Sequence, residues 1–282
     1  MKRIPVAVAA VASLFITGAA AADLAPRMYA KAPAPVVAVH DWTGFYIGGN
    51  VGYSWGRSND TSMLTNGAGT VLFTNDSKTN LDGIVGGGQI GYNWQVQNWM
   101  LGLESDIQGT DEKGSRSFSC PTGVCSPGTF LNIILPNGVI LFSPGPAVPG
   151  TMSQKIDWFG TVRGRAGVLV DPKVLLYATG GLAYGEVKTS ETVGIVPTAF
   201  SSITTNVGWT VGAGVEGVLG GNWTAKLEYL YVDLGKASGT YMTPIAAFGG
   251  GFLTSSLSSR ITDNVLRVGV NYKFGDRVVA KY

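Results

Sequence analysis

From Trp42 to Phe274 the chain alternates apolar with polar or small residues in two-residue steps, the period of a β-strand with one face in an apolar environment. The first such segment puts Phe45, Ile47, Val51, Tyr53 and Trp55 on one parity and Gly48, Asn50, Gly52 and Ser54 on the other. In the second, Ile90, Tyr92 and Trp94 oppose Gln89, Asn93 and Gln95; in the third, Trp99, Leu101, Leu103 and Ile107 oppose Glu104, Asp106 and Gln108. The fourth sets Ile156, Trp158, Val162, Ala166 and Val168 against Asp157, Thr161, Arg163 and Arg165. The fifth, Val174 to Tyr184, is apolar on both parities, so its facing stays open. Val207, Trp209, Val211, Ala213 and Val215 then oppose Thr210 and Glu216, and Trp223, Ala225, Leu227, Tyr229 and Tyr231 oppose Thr224, Lys226 and Glu228. Finally, Leu266, Val268, Val270, Tyr272 and Phe274 oppose Arg267, Asn271 and Lys273. An all-β chain of eight strands is predicted.

A soluble sheet resting on a core shows the same alternation. Two features point elsewhere. Trp and Tyr fall near the segment ends, as the aromatic girdles of a membrane interface require. Connections 95–98, 170–173 and 220–222 are short, whereas 56–80, 110–151, 188–205 and 236–258 are long, in strict alternation. That rhythm belongs to transmembrane up-and-down antiparallel barrels of an outer membrane, with short periplasmic turns and long extracellular loops. An open sheet edge in hydrocarbon would leave backbone groups unpaired, so the first strand must close on the last. An even strand number leaves both termini in the periplasm.

The ends of the chain agree. Lys2 and Arg3, the apolar run Val6 to Ile16 and the small residues Gly18 to Ala22 form a signal peptide pattern with cleavage after Ala21 or Ala22. The expected organisation is a leader over 1–22, an Ala/Pro-rich periplasmic linker over 23–41, a barrel over 42–275 and a short periplasmic tail over 276–282. Removing Lys2 and Arg3 takes the 20 basic residues to 18, equal to the 18 acidic ones. No clustered basic surface remains to meet phosphates, which excludes nucleic acid as a partner. A single histidine, His40, and two cysteines give no metal-ligand set and imply no cofactor. Export to an oxidising compartment makes Cys120 and Cys125 candidates for a small disulfide loop.

On this parity the lumen receives Glu104, Asp106, Asp157, Glu216 and Glu228 against Arg163, Arg165, Lys226, Arg267 and Lys273. A barrel of eight strands has room for little more than its own side chains, which suits inward glycines and a paired, plugging charge network. Charged rings can also line a narrow pore, and that alternative stays open.

Four motifs then carry a resemblance: W-T-G-F-Y-I-G-G-N-V-G-Y-S-W (Trp42 to Trp55), W-F-G-T-V-R-G-R-A-G (Trp158 to Gly167), L-L-Y-A-T-G-G-L-A-Y-G (Leu175 to Gly185) and V-L-R-V-G-V-N-Y-K-F (Val265 to Phe274). In this order, over nearly the whole mature chain, they resemble the small outer-membrane β-barrel proteins abundant in alphaproteobacteria, a family related in fold to the N-terminal domain of OmpA. The resemblance implies a surface-exposed, largely structural barrel of the outer membrane, sometimes grouped with porins. It also implies that the last strand, with Tyr272 and Phe274, is the signal read by the barrel-assembly machinery. Tyr282 is a second terminal aromatic; Phe274 is preferred because its parity continues the strand.

No enzyme site emerges. A serine nucleophile needs a base within reach, and His40 precedes the barrel. Glu104 and Asp106 share a face but have arginines beside them, and Gly212 to Gly214 lack the βαβ unit of a dinucleotide site. The long connection 110–151 carries an apolar hairpin pattern, Phe130 to Leu135 and Val139 to Phe142 around Pro136-Asn137-Gly138, which would form a sticky patch in a loop or a fifth hairpin of a ten-stranded barrel. The expected role is envelope integrity and surface interaction, with lipid, lipopolysaccharide and host or phage surface ligands as partners. A narrow channel for small solutes or ions is the alternative.

Overall fold

The computed structural model describes residues 40–122, 129–134, 140–143, 145–193, 200–245 and 251–275. The expected leader, the linker up to residue 39 and the tail 276–282 lie outside them. The strands are β1 (Gly44–Asn66), β2 (Val71–Val96), β3 (Trp99–Thr110), β4 (Lys113–Cys120), β5 (Thr129–Ile134), β6 (Ile140–Ser143), β7 (Val148–Asp171), β8 (Val174–Val193), β9 (Phe200–Gly220), β10 (Trp223–Ile245) and β11 (Gly251–Lys273).

The sheet closes. β1 pairs antiparallel with β2 on one side and with β11 on the other, the latter from Tyr46 opposite Lys273 to Asn66 opposite Leu253. The remaining neighbours follow chain order, and β3 and β4 together fill a single position: β3 pairs with the later half of β7 and β4 with its first half. Eight strand positions result. Among the described residues β5 and β6 pair only with each other, so the apolar hairpin is a separate two-stranded ribbon and the ring does not become ten-stranded. Its apex, 135–139, lies outside the described residues.

Along the wall, one parity faces out. Phe45, Ile47, Val51, Tyr53 and Trp55 on β1, Leu101 and Leu103 on β3, Val207 and Val211 on β9, and Leu266 and Val268 on β11 are all exposed, forming the apolar belt that hydrocarbon demands. β8, whose facing the sequence left open, turns Leu175, Tyr177, Thr179 and Ala183 inward and Leu176 and Leu182 outward.

Two expectations need correction. The stretches expected as long loops are mostly strand. β1 alone has 23 residues, roughly 75 Å of extended chain at ~3.3 Å per residue, whereas hydrocarbon takes only about 9–11 tilted residues to cross. Beyond the belt there is no lipid to select an apolar face, so Ser58 to Thr65 carries no alternation in its sequence even though its ladder continues to Asn66. Asp157 does not face the lumen. A register shift between Ile156 and Trp158 in the β7–β8 ladder inserts one residue, and a one-residue slip reverses facing. Ile156 is buried inside, while Asp157 sits half-buried on the outer face between Lys155, at 2.7 Å, and Lys188.

Inward glycines are dictated by space. A Cβ at Gly87 would stand 2.0 Å from the Ile107 carbonyl oxygen, and one at Gly181 would stand 2.1 Å from that of Val162. Outward Gly164, by contrast, has only the Gly180 carbonyl oxygen in reach, at 3.9 Å. Gly87→Ala and Gly181→Ala should therefore each destabilise the barrel by about 1–3 kcal/mol through overpacking, while Gly164→Ala should be neutral or stabilise by about 0.5–1 kcal/mol. Urea unfolding of vesicle-reconstituted protein checks the contrast; equal effects at inward and outward positions would contradict it.

Candidate functional site: a charged layer between two apolar layers

The lumen is stratified. At the end with short turns, Trp42, Met100, Leu175 and Tyr177 form a buried apolar cluster, with Leu169 and Val218 packed against it. Trp42 is fixed there by its own N–H, which donates to Gln95 Oε1 (2.9 Å), and by its indole Nε1–H, which donates to the Pro172 carbonyl (3.3 Å). Lys273 closes the same mouth, its ammonium donating to the carbonyls of Asp41 (2.5 Å) and Thr43 (3.3 Å).

Above that cluster lie the charges. Glu104 is the hub: its carboxylate meets Arg163 at 2.5 Å, Lys226 at 2.9 Å, Arg165 at 3.3 Å and Arg267 at 3.7 Å. Asp106 takes Arg267 at 2.8 Å and Arg163 at 2.9 Å. Glu228 takes Arg267 at 2.6 Å and Arg163 at 3.2 Å, and Glu216 takes Arg165 at 2.6 Å. Four acids and four bases are thus brought together from β3, β7, β9, β10 and β11, each residue no more than 3% exposed. Two of the ten residues expected in this network stand apart, Asp157 on the outer face and Lys273 at the mouth.

Neutral groups complete the layer: Thr224 and Asn271, already on the polar parity of their strands, and Tyr46 and Tyr177, which the parity reading did not single out. Tyr46 donates its hydroxyl to Glu104 (2.7 Å) and accepts from Arg165 (2.9 Å); Tyr177 donates to Glu228 (2.9 Å), and its ring lies 4.2 Å from the Arg165 guanidinium carbon. Thr224 and Asn271 donate to Glu216 at 2.6 and 2.8 Å. The signal was present: Tyr46 sits on the glycine-rich inward parity of β1, where a large polar side chain must reach across the lumen. Taking eight ions out of water is costly, and only near-complete pairing offsets that cost.

A second apolar layer caps the charges. Leu81, Val85, Ile156, Phe159, Ala183, Val187, Leu230, Val232, Leu234, Ile261 and Val265 form one buried cluster. Further along, Asp60 accepts from Ser58, Ser259 and Gln154 at 2.5, 2.6 and 2.9 Å through one oxygen and from Thr79 at 3.2 Å through the other. Among the described residues no group of three or more His, Cys, Asp or Glu could hold a metal ion. His40 stands edge-on to Trp42 with ring centroids 5.1 Å apart at the turn end, its pKa lowered by burial and by Lys273.

The other singled-out residues are also placed. Tyr272 and Phe274 lie on one outward row with ring centroids 5.3 Å apart, and the Phe274 N–H donates to the Phe45 carbonyl at 2.8 Å, so pairing runs to the end of the strand pattern. Cys120 is buried at the end of β4; Cys125 lies outside the described residues.

A closed antiparallel ring with an apolar exterior and a packed interior defines a small transmembrane β-barrel. Residues 7–274 match the family model described as outer membrane protein beta-barrel domain, and the chain belongs to this family. It is an outer-membrane protein. It is 35% identical over 272 residues to the 31 kDa outer-membrane immunogenic protein of Brucella melitensis, covering 95% of this chain and 99% of the relative. It is 31% identical over 241 residues to a 22 kDa outer membrane protein of Rhizobium leguminosarum bv. viciae, covering 86% and 82%. Among solved structures it resembles the Escherichia coli outer membrane protease OmpT (TM-score 0.46, 10% identity, covering 82% and 97%) and OprG of Pseudomonas aeruginosa (TM-score 0.43, 10% identity, covering 82% and 97%).

Because Glu104 is surrounded by four cations, Glu104→Gln should leave buried positive charge uncompensated and cost about 3–5 kcal/mol in urea unfolding. Asp157→Asn, on the outer face, should cost well under that. Comparable losses for the two variants would show that Glu104 is not the hub.

Proposed function

We propose that this outer-membrane protein is a structural surface barrel whose lumen is sealed, and that it is not an enzyme. One observation carries the proposal: every member of the eight-residue charge network is buried between two apolar layers, so no water-accessible path runs beside them. The long extended arms face outward and both termini lie in the periplasm, a reading supported by the short turns gathered at one end. The immunogenic character named in the Brucella relative also supports surface exposure of the arms. They meet lipopolysaccharide and, beyond it, host or phage surface ligands, while Tyr272 and Phe274 serve the barrel-assembly machinery.

A narrow channel is the second reading. Asp106 Oδ1, Arg267 Nη1 and both amide atoms of Gln108 are buried without a hydrogen-bond partner, which favours some internal water. Planar bilayers separate the two readings. The sealed barrel predicts no single-channel steps, whereas reproducible steps altered by Arg163→Ala or Glu216→Ala would establish the channel.

A further inference from the structure

Between β3 and β4 the wall is interrupted at Asp111 and Glu112, and the Glu112 side chain enters the barrel fully buried. It passes over β2 at Gly83, where a Cβ would stand 2.6 Å from the Glu112 Cα. It reaches Ser54 of β1 and, through it, Asp263 of β11. Ser54 Oγ lies 2.8 Å from Glu112 Oε2 and 2.5 Å from Asp263 Oδ2. A hydroxyl has one hydrogen to give, so it can donate to only one of these carboxyl groups, and the other must supply a hydrogen of its own. Asp263 is the better anion, because its second oxygen accepts from the Asn264 N–H at 2.8 Å, whereas Glu112 Oε1 is buried without a partner. The order is therefore Glu112 O–H to Ser54 Oγ, and Ser54 O–H to the Asp263 carboxylate.

No base answers this pair. Among the described residues neither carboxyl group has a Lys, Arg or His in a salt bridge. From β2 the charge that bears on Glu112 is Asp82, an anion exposed on the outer face, which accepts from Tyr53 and lies opposite Lys113 of β4. At the junction itself, Asp111 accepts from the Ile84 N–H. β10 sets Val232 opposite Asp263, and its Asp233 is paired with Arg260; β7 sends Lys155 to Asp157; and Asp60, on β1, is held by neutral donors. The junction is tied to the wall by the Ile156 N–H, which donates to the Glu112 carbonyl at 3.1 Å.

We propose that Glu112 and Asp263 share one proton through Ser54, and that this proton is a pH-sensitive latch holding the β3–β4 junction against β1 and β11. When it leaves to solvent, two adjacent carboxylates face each other in an apolar surround, and the junction is driven open. Burial and the neighbouring Asp263 push Glu112 up to about 8, and burial pushes Asp263 up to about 6. The closed form thus holds the proton more tightly than an open form with ordinary carboxyl groups. The stabilisation is complete below the ordinary carboxyl range and is lost as pH rises to about 8.

The test is amide hydrogen exchange on the full chain reconstituted in vesicles, corrected at each pH for intrinsic exchange rates. Between about pH 6, where Asp263 has ionised, and about pH 8, the opening equilibrium at Asp111, Glu112 and Ile156 should climb by up to about tenfold per pH unit and then level off, since one proton is released per opening in that window. Glu112→Gln, which keeps the shape but does not titrate, should flatten that slope. Infrared difference spectra of the unaltered protein should show a protonated carboxyl group at pH 6.5 that is gone by pH 9, a readout that survives even if the variant fails to fold. A flat exchange profile in the unaltered protein, an undiminished slope in Glu112→Gln, or no protonated carboxyl group at pH 6.5 would each overturn the proposal.

Discussion

A backbone N–H or C=O without a partner costs several kcal/mol in hydrocarbon, and the architecture answers to that cost. The β1–β11 ladder removes the last free edge. Once the ring is shut at eight positions its interior cannot widen, so every inward residue is chosen under a volume limit. Glycine at 87 and 181 and the long cations of β7 and β11 are two answers to one question of space. The outer face is ruled by lipid alone and tolerates any apolar side chain.

Within that limit the interior could have been filled with hydrocarbon throughout, and two of its layers largely are, although Ser54, Glu112 and Asp263 lie at the level of the second. The charged layer between them has a different logic. Eight ions sharing hydrogen bonds across five strands tie residues that are remote in the chain, such as Glu104 and Arg267, into one arrangement. Slipping any one of those five strands by two residues would preserve the lipid-facing pattern but would separate a cation from its anion. Apolar packing tolerates such slips more readily than directional ion pairs do. The flanking apolar layers keep water from screening the pairs.

How much of this could be read from the residues depends on which solvent each residue meets. Where lipid touches one face and the lumen the other, the period of two stands out, and Trp99 to Gln108 or Leu266 to Lys273 can be assigned on sight. β8 resisted because its lumen side passes both apolar layers, so Leu175 and Ala183 look like their lipid-facing neighbours. Asp157 departs from its sequence parity because a bulge leaves no local mark in the sequence while reversing the facing before it. The arms beyond the belt read as loops because water surrounds them, and hydroxyl-rich strands there have the composition of turns. Glu112 was invisible for a related reason: its role depends on Ser54 and Asp263, which come close only after the ring has closed.

The continuation of β1 and β2 as a paired ribbon as far as Thr65 opposite Val71 also limits how the arms can vary. A loop absorbs a single inserted residue by changing shape. A ribbon whose β1 strand is also paired to β11 as far as Asn66 cannot: one extra residue would either reverse the facing of everything beyond it or force a bulge. Tolerated length changes in such arms should come in matched pairs on both strands of a hairpin. Variation in the arms would then be channelled into substitutions at outward positions, on a scaffold of nearly constant length.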